Sequence, residues 1–216
     1  AARRAKSEVR RRCKAMGLDS MLTLTYRANQ KDEALCKWHM EAFVKRVRKL
    51  IPQFRYVAAF ERQDRGAWHV HMAVHRVQSH FMDRGVRVKS FDLLRSIWRS
   101  VVGELGGNVD VQNKRKSARK TVAQLAAYLS KYMTKAYAEG EEHSKRWTAS
   151  RMKLPEASRL CVRKLSLLQI LQQLVEEHAP EGTQIRTHLV DGARGFFMTV
   201  EPIPIVRGSD LAIQLG

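Results

Sequence analysis

Short stretches of alternating apolar and polar residues recur along the chain, separated by segments in which apolar residues return every three or four positions. In Met21–Tyr26, β-forming residues alternate with the period of a strand, whereas residues 33–51 carry their apolar residues at the spacing of a helix. The same patterns predict, in chain order, strands at 54–63 and 68–74, a helix at 91–105, a short strand around Val109 and Val111, a helix at 122–137, a helix at 164–178 and a hairpin at 184–206.

This order of elements, β-α-β-β-α-β-α up to residue 137, predicts an α+β fold in which helices pack on an antiparallel sheet. The pattern changes after Gly140, where the sequence becomes polar and irregular. We therefore predict three parts: a basic N-terminal arm at 1–20, the principal domain at 21–140, and a C-terminal extension of a helix and a hairpin at 141–216. The extension carries no chemistry that its sequence reveals.

The charge of the chain indicates a polyanionic partner. It has 40 Lys and Arg against 21 Asp and Glu among 216 residues, a formal net charge of +19. Nucleic acid is the first candidate and an anionic membrane surface the second. No run approaches the roughly 18 apolar residues that a membrane span needs, so we expect nucleic acid and no membrane. Arg and Lys cluster at Arg3–Arg12 and again in the loop before the helix at 122–137; the loop residues predicted to bind DNA are Lys114, Arg115, Lys116, Arg119 and Lys120.

The three cysteines are widely spaced, at 13, 36 and 161. This arrangement excludes a Cys-x-x-Cys metal site and is typical of free thiols in a reducing cytoplasm. Because the sequence begins at Ala1 without an initiator methionine, we expect it to be a portion of a longer chain.

The most specific chemical signal is His69-Val70-His71. On a strand, residues two apart point to the same face with Cα atoms about 6.6 Å apart, so both imidazoles can reach one metal ion. An isolated His-x-His is more often a pair of half-buried strand residues, and the metal interpretation needs a third ligand.

Glu61 is the candidate third ligand, provided that the hairpin between the two strands has the right register. A three-residue loop at Asp64-Arg65-Gly66, with Gly66 in the left-handed conformation, places Glu61 opposite His69 on the same face. A two-residue loop at Arg65-Gly66 would turn the carboxylate away instead. Gln63 shares the face of Glu61 and is a further candidate for metal or substrate binding. Mixed histidine and carboxylate ligation favours Mg²⁺ or Mn²⁺ and does not exclude Zn²⁺.

A doubled Tyr-x-x-Lys unit follows in the helix at 122–137, as Tyr128, Lys131, Tyr132 and Lys135. On a helical wheel the apolar stripe of this helix faces the sheet, and the two tyrosines lie on its shoulder roughly 6 Å apart along the axis. Each phenol has a lysine neighbour that can favour the phenolate or hold a phosphate. The ordinary alternative is an amphipathic helix whose tyrosines edge the core. The repeat and the His-x-His strand together favour a catalytic role for Tyr128, Tyr132, Lys131 and Lys135.

Taken together, Glu61, His69-Val-His71 and the Tyr-x-x-Lys repeat resemble the HUH endonucleases, the initiators of rolling-circle replication. The segment from Glu61 to His71 and the doubled tyrosine unit look most like the initiators of small bacteriophages, both microvirus and filamentous. The first strand, Leu22–Tyr26, is similar to the first motif of that family. The resemblance covers residues 20–137 and implies a five-stranded antiparallel sheet with the His-x-His strand in its centre. Four strands are evident in this segment, and the stretch around Val86-Arg-Val88 is one candidate for the fifth.

The resemblance also implies an activity. Such proteins nick single-stranded DNA at a replication origin, which can be a hairpin, through a metal-dependent attack by tyrosine that leaves a 5′-phosphotyrosine link and a free 3′-OH. It further implies the host helicase and replication machinery as partners, and the cytoplasm of a bacterial host as the location. A transposase or conjugative relaxase would use the same chemistry elsewhere. A non-catalytic nucleic-acid-binding protein with a structural metal is the alternative of a different class.

Overall fold

The computed structural model describes residues 2–83, 85–111, 122–139, 146–156, 164–189 and 196–202. The chain divides into two compact units, Ala1–Pro155 and Glu156–Gly216. The predicted DNA-binding loop, Lys114, Arg115, Lys116, Arg119 and Lys120, lies outside the described residues.

Helices and strands of the first unit follow the predicted order, with additional elements. Their bounds are α1 Ala2–Ala15, β1 Ser20–Tyr26, α2 Glu33–Leu50, β2 Tyr56–Arg62, β3 Trp68–Val74, β4 His80–Asp83, β5 Val86–Lys89, α3 Ser90–Val102 followed by a 3-10 turn at Gly103–Leu105, β6 Gly107–Val111, α4 Val122–Glu139 and β7 Trp147–Ala149.

Five of the strands form one antiparallel sheet in the order β6-β1-β3-β2-β7, so the His-x-His strand β3 is central. The predicted α+β class and five-stranded sheet are thus confirmed. Because side chains alternate between the faces of a strand, Val70 and Met72 on β3 point to one face of the sheet, and His69, His71 and Ala73 point to the other.

Each face of the sheet carries its own helices and its own core. On the face of Val70 and Met72, α2 and α3 bury a cluster that includes Phe43, Phe60 and Trp98. The second cluster, on the face of the histidines, joins α1 and α4 to small residues of the sheet; it contains Ala5, Val9, Cys13, Met16, Leu18, Met21, Val57, Ala59, Ala73, Leu125, Ala126 and Leu129. The catalytic chemistry predicted from the sequence therefore belongs to the thinner, alanine-rich side of the sheet.

Two elements differ from the expectations. The fifth strand is β7, which pairs with β2 through Ala59 and Trp147, whereas the stretch around Val86 forms a separate two-stranded hairpin with β4. The first unit thus continues past residue 140, where the sequence pattern changes, because β7 completes its sheet. The N-terminal segment, expected as an arm, contains the helix α1, whose Val9 and Cys13 are fully buried.

The second unit contains α5 Leu167–His178 and a hairpin of β8 Thr183–Leu189 and β9 Phe196–Pro202. Ser166 caps α5: its hydroxyl accepts from the amide of Gln169, and the side chain of Gln169 accepts from the amide of Ser166. This reciprocal capping box explains why the predicted helix begins at this point. The predicted helix and hairpin of the extension are both present.

Candidate active site

The hairpin between β2 and β3 has the register on which the metal prediction depends. Glu61 lies directly opposite His69, and the amides of Gln63 and Gly66 donate to Ala67 and Gln63, which closes a three-residue loop at 64–66. Gly66 has φ +88°, the left-handed conformation predicted for the last loop position. The three-residue loop is confirmed, and the two-residue alternative is excluded.

Substituting Gly66 should therefore damage both stability and the site. We expect Gly66→Ala to lower the free energy of unfolding by about 1–2 kcal/mol, since a Cβ is strained at positive φ, and to slow DNA cleavage because the loop sets Glu61 against His69. The measurement is chemical denaturation together with a cleavage assay. Gly85→Ala is the matched control, because Gly85 also has positive φ, +81°, and nothing lies within 4 Å of its added Cβ. It should lose comparable stability and keep its cleavage rate; equal losses of cleavage in both variants would contradict the role of the loop.

His71 is held between two side chains from neighbouring strands. Its Nε2 lies 2.8 Å from Oε2 of Glu61, and its Nδ1 lies 3.3 Å from Oγ1 of Thr23 on β1. A hydroxyl can donate or accept, so Thr23 can orient the imidazole in either tautomer. Thr23 was not among the predicted site residues. Its alternation on β1 was visible in the sequence, but its pairing with His71 depends on a strand register that the sequence does not reveal.

His69 has the properties of an imidazole ready to bind a cation. Among the described residues its Nε2 is buried and has no hydrogen-bond partner. The pKa of His69 is lowered from 6.5 to about 4, mainly because burial disfavours the charged form, with a further lowering by His71. The ring is therefore uncharged at neutral pH, with a nitrogen lone pair available to a metal. Such an unpartnered buried nitrogen would otherwise cost stability.

Side chains of the described residues do not yet surround a metal ion. Among those residues, no three His, Cys, Asp or Glu side chains are arranged to hold one as they stand. The direct hydrogen bond between Glu61 and His71 accounts for this, because it joins two of the predicted donor groups to each other. The ring centroids of His69 and His71 are 6.3 Å apart. The residue types fit a divalent cation, but Glu61 must exchange its hydrogen bond to bind one.

Gln63, the further candidate ligand, is engaged elsewhere. Its Oε1 accepts a hydrogen bond of 3.1 Å from Nε of Arg65, and Nη2 of Arg65 also donates to the carbonyl of Tyr26 at 3.3 Å. Arg65 therefore links the hairpin loop to the end of β1. Its charge also contributes to the lowered pKa of His69, which places it in the electrostatic environment of the site.

Helix α4 brings both predicted tyrosines over the histidines. Leu125, Ala126 and Leu129 are buried against the sheet, as the helical wheel predicts, and the tyrosines pack at the edge of that core. The ring of Tyr132 stacks on the imidazole of His71 with centroids 3.7 Å apart and an interplanar angle of 10°. Sequence spacing could place Tyr132 on the correct shoulder but could not predict this stacking contact.

The two phenols are bonded to each other. The hydroxyl of Tyr132 donates to that of Tyr128 at 2.5 Å, and the rings meet edge to face. The pKa of Tyr132 is raised above 10, first by burial and then by the hydrogen bond to Tyr128, with the charge of Glu61 adding to the effect. Tyr132 is therefore protonated at neutral pH and needs a nearby positive charge to act as a nucleophile.

The lysines of the repeat are less defined by their surroundings. Lys131 is exposed on α4. The backbone of Lys135 belongs to the same helix, but its side chain lies outside the described residues. The structure thus brings Glu61, His69, His71, Tyr128 and Tyr132 together, whereas the assisting roles of Lys131 and Lys135 stay predictions.

A strand carrying Glu61 opposite a His-x-His pair, with a tyrosine helix stacked on it, is the arrangement expected of a replication protein. A comparison with family profiles makes this specific: residues 19–137 match the model of the family Replication-associated protein ORF2, a rolling-circle replication-associated family, and the chain belongs to that family. The match spans the segment from β1 through the tyrosines of α4. No curated protein and no solved structure matches the chain significantly. Within the described residues, no helix combines the length and the apolar character that crossing a membrane requires.

Proposed function

We propose that this replication-associated protein initiates rolling-circle replication as a metal-dependent, site-specific nickase and ligase of single-stranded DNA, with a 5′-phosphotyrosine intermediate. The observation that carries the proposal is the stacking of Tyr132 on His71. It places a phenol, held by α4, directly against the donor groups of the central strand. The family match supports the replication role, and the net charge of +19 supports a nucleic-acid substrate.

The proposed cofactor is Mg²⁺ or Mn²⁺, held by Glu61, His69 and His71. When bound, such an ion polarises the scissile phosphate as a Lewis acid. The uncharged ring of His69 offers its buried Nε2, and Thr23 keeps the ring of His71 in place when Nε2 gives up its proton. Glu61 contributes an anionic oxygen, which hard divalent ions prefer.

The protein residues then carry the transfer itself. The phenol oxygen of one tyrosine attacks phosphorus, a new P–O bond to tyrosine forms, and the bond from phosphorus to the 3′ oxygen breaks. The phenol loses one proton and the 3′ oxygen gains one, so the step balances without another co-reactant. The reverse attack by a 3′-OH rejoins the strand, because the phosphotyrosine link conserves the energy of the phosphodiester.

The hydrogen bond between the phenols suits two successive transfers. While Tyr132 donates to Tyr128, the proton of one phenol is shared with its neighbour. Once one tyrosine is esterified, this hydrogen bond between two hydroxyls is lost, and the other phenol becomes the available nucleophile. Lys131 and Lys135, one helical turn apart, would stabilise the phenolate or the phosphate.

Capture of a covalent adduct tests the proposal directly. The protein is incubated with a pool of random-sequence single strands and Mn²⁺, and the mixture is washed under denaturing conditions. We expect DNA to stay linked to Tyr128 or Tyr132, as identified by mass spectrometry, and sequencing of the linked strands to reveal the cleavage site. Chelation with EDTA is the control and should leave no adduct. DNA that binds natively but never becomes linked would identify a non-catalytic binding protein and refute the proposal.

A further inference from the structure

A cleft of about 590 Å³ opens at the edge of the sheet, away from α4. Thr25, Tyr26 and Arg27, at the end of β1, line one side, and Arg99 with Gly106 and Asn108 lines the other. We refer to it as the edge cleft. Neither the predicted site nor the proposed chemistry makes use of it.

Two guanidinium groups give the edge cleft its charge. Arg27 and Arg99 are exposed, and no carboxylate pairs with either of them among the residues that the structure describes. Nε of Arg99 donates to the carbonyl of Gly107 at 3.0 Å, which fixes the guanidinium and leaves its terminal nitrogens for another acceptor. Gly106 lacks the Cβ that would come within 3.1 Å of Nε of Arg27. Two forks in one concave site match a phosphate better than any neutral ligand.

The register of the sheet places the cleft in line with the catalytic residues. Asn108 is opposite Thr25 on β1 and Glu61 is opposite His69 on β3, while the pairing of Leu24 with Val70 puts Thr25 beside His69. These four side chains form one row across the sheet and share its face. Asn108 is therefore about 10 Å from His69, two strand spacings. At about 3.4 Å per stacked nucleotide this is a step of about three nucleotides.

A protein contact also connects the two places. Arg65, on the loop that sets Glu61 against His69, donates to the carbonyl of Tyr26, which lines the edge cleft. The path from His69 to Arg27 is thus bordered by Arg65 and by polar side chains. It passes over β1 and β6, and the core formed by α4 involves β2 and β3 instead.

We infer that the edge cleft binds a backbone phosphate of the single DNA strand, about three nucleotides from the phosphate that the tyrosines attack. Arg27 and Arg99 take the phosphate oxygens, and Asn108 and Thr25 border the strand between the cleft and His69. The inference rests on the proposed function for its substrate, and it adds a subsite that holds the strand in register.

The test measures binding of a short oligothymidylate by fluorescence anisotropy over a range of salt concentrations. We expect Arg27→Gln and Arg99→Gln each to weaken binding about tenfold at low salt, and the double variant to reduce the slope of log affinity against log salt by about 1.4, since each lost phosphate contact on a single strand removes about 0.7. Arg55→Gln is the control, because Arg55 is an exposed arginine just before β2, at the opposite end of the sheet. It should leave affinity and slope close to wild type.

A second variant separates the cleft from the general charge of the protein. Asn108→Trp fills the cleft without changing any charge, and we expect it to weaken oligothymidylate binding as the arginine variants do. If Asn108→Trp binds like the wild type, or if Arg55→Gln loses as much affinity as Arg27→Gln, the effect is one of net charge and the inference is wrong. Adduct formation distinguishes this failure from failure of the proposed function. The arginine variants should recover adduct yield at saturating DNA, whereas a wild-type protein that binds oligothymidylate through the cleft but never forms an adduct would refute the nickase alone.

Discussion

A protein carrying both Tyr128→Phe and Tyr132→Phe is expected to form no covalent adduct with single-stranded DNA. Phenylalanine keeps the ring that packs on the sheet and, at position 132, the stack on His71, so only the nucleophilic oxygens are lost. Loss of a covalent nucleophile lowers the rate by about 10⁶-fold in well-studied enzymes, which is below detection on a denaturing gel. Binding of oligothymidylate should stay unchanged, because the fold and the charge are the same.

The single variants should differ from each other and from the double. Each should leave some adduct, and we expect Tyr132→Phe to lose more of it, because Tyr132 is the phenol in contact with His71. Tyr56→Phe is the control: Tyr56 is a buried tyrosine at the start of β2 that stacks on Phe54. An adduct that survives in the double variant, or one mapped to Tyr26 or Tyr137, would show that another residue is the nucleophile.

Removal of a metal ligand is the second large effect that we expect. His69→Ala and His71→Ala should abolish divalent-dependent cleavage, Glu61→Ala should nearly do so, and Gln63→Ala should have a smaller effect because its oxygen is bound to Arg65. Affinity for Mn²⁺, measured by calorimetry, should fall by more than about 100-fold in the histidine variants, since even an outer partner of a ligand is worth about 10–100-fold.

Two further variants isolate the metal role from packing. His71→Phe offers a ring to Tyr132 but no nitrogen, so it should retain stability and lose Mn²⁺ binding. His75→Ala removes an exposed histidine just beyond β3 and should change neither property. Cleavage by Glu61→Ala at the wild-type rate would mean that the third ligand is elsewhere in the chain.

Local sequence was sufficient to predict the hairpin that carries the site. The period of two in β2 and β3 and the position of Gly66 together determine which residues face each other, and the observed pairing of Glu61 with His69 follows from them. Helical spacing likewise predicted that Leu125 and Leu129 would be buried. These are short-range properties, encoded within a few residues of each other.

Long-range pairings were beyond the reach of such patterns. Strand β7 has only three residues, and its place beside β2 depends on partners far away in sequence, such as Ala59 for Trp147. The charges of α1 concealed a buried stripe that includes Val9 and Cys13. The contact between Tyr132 and His71 depends on how far α4 lies above the sheet, which no single element specifies.

That separation between helix and sheet is governed by two of the smallest side chains in the protein. Ala59 and Ala73 lie beneath α4, and Ala59 is directly opposite His71. A methyl group at each position lets the helix come down until an aromatic ring rests on an imidazole. These alanines act as a spacer of minimal thickness, so a sequence survey that scores residues by chemical reactivity would pass over them. In an effort to retune the reach of the nucleophile, they would be the positions to vary, since a change there moves the whole helix and leaves every reactive group in place.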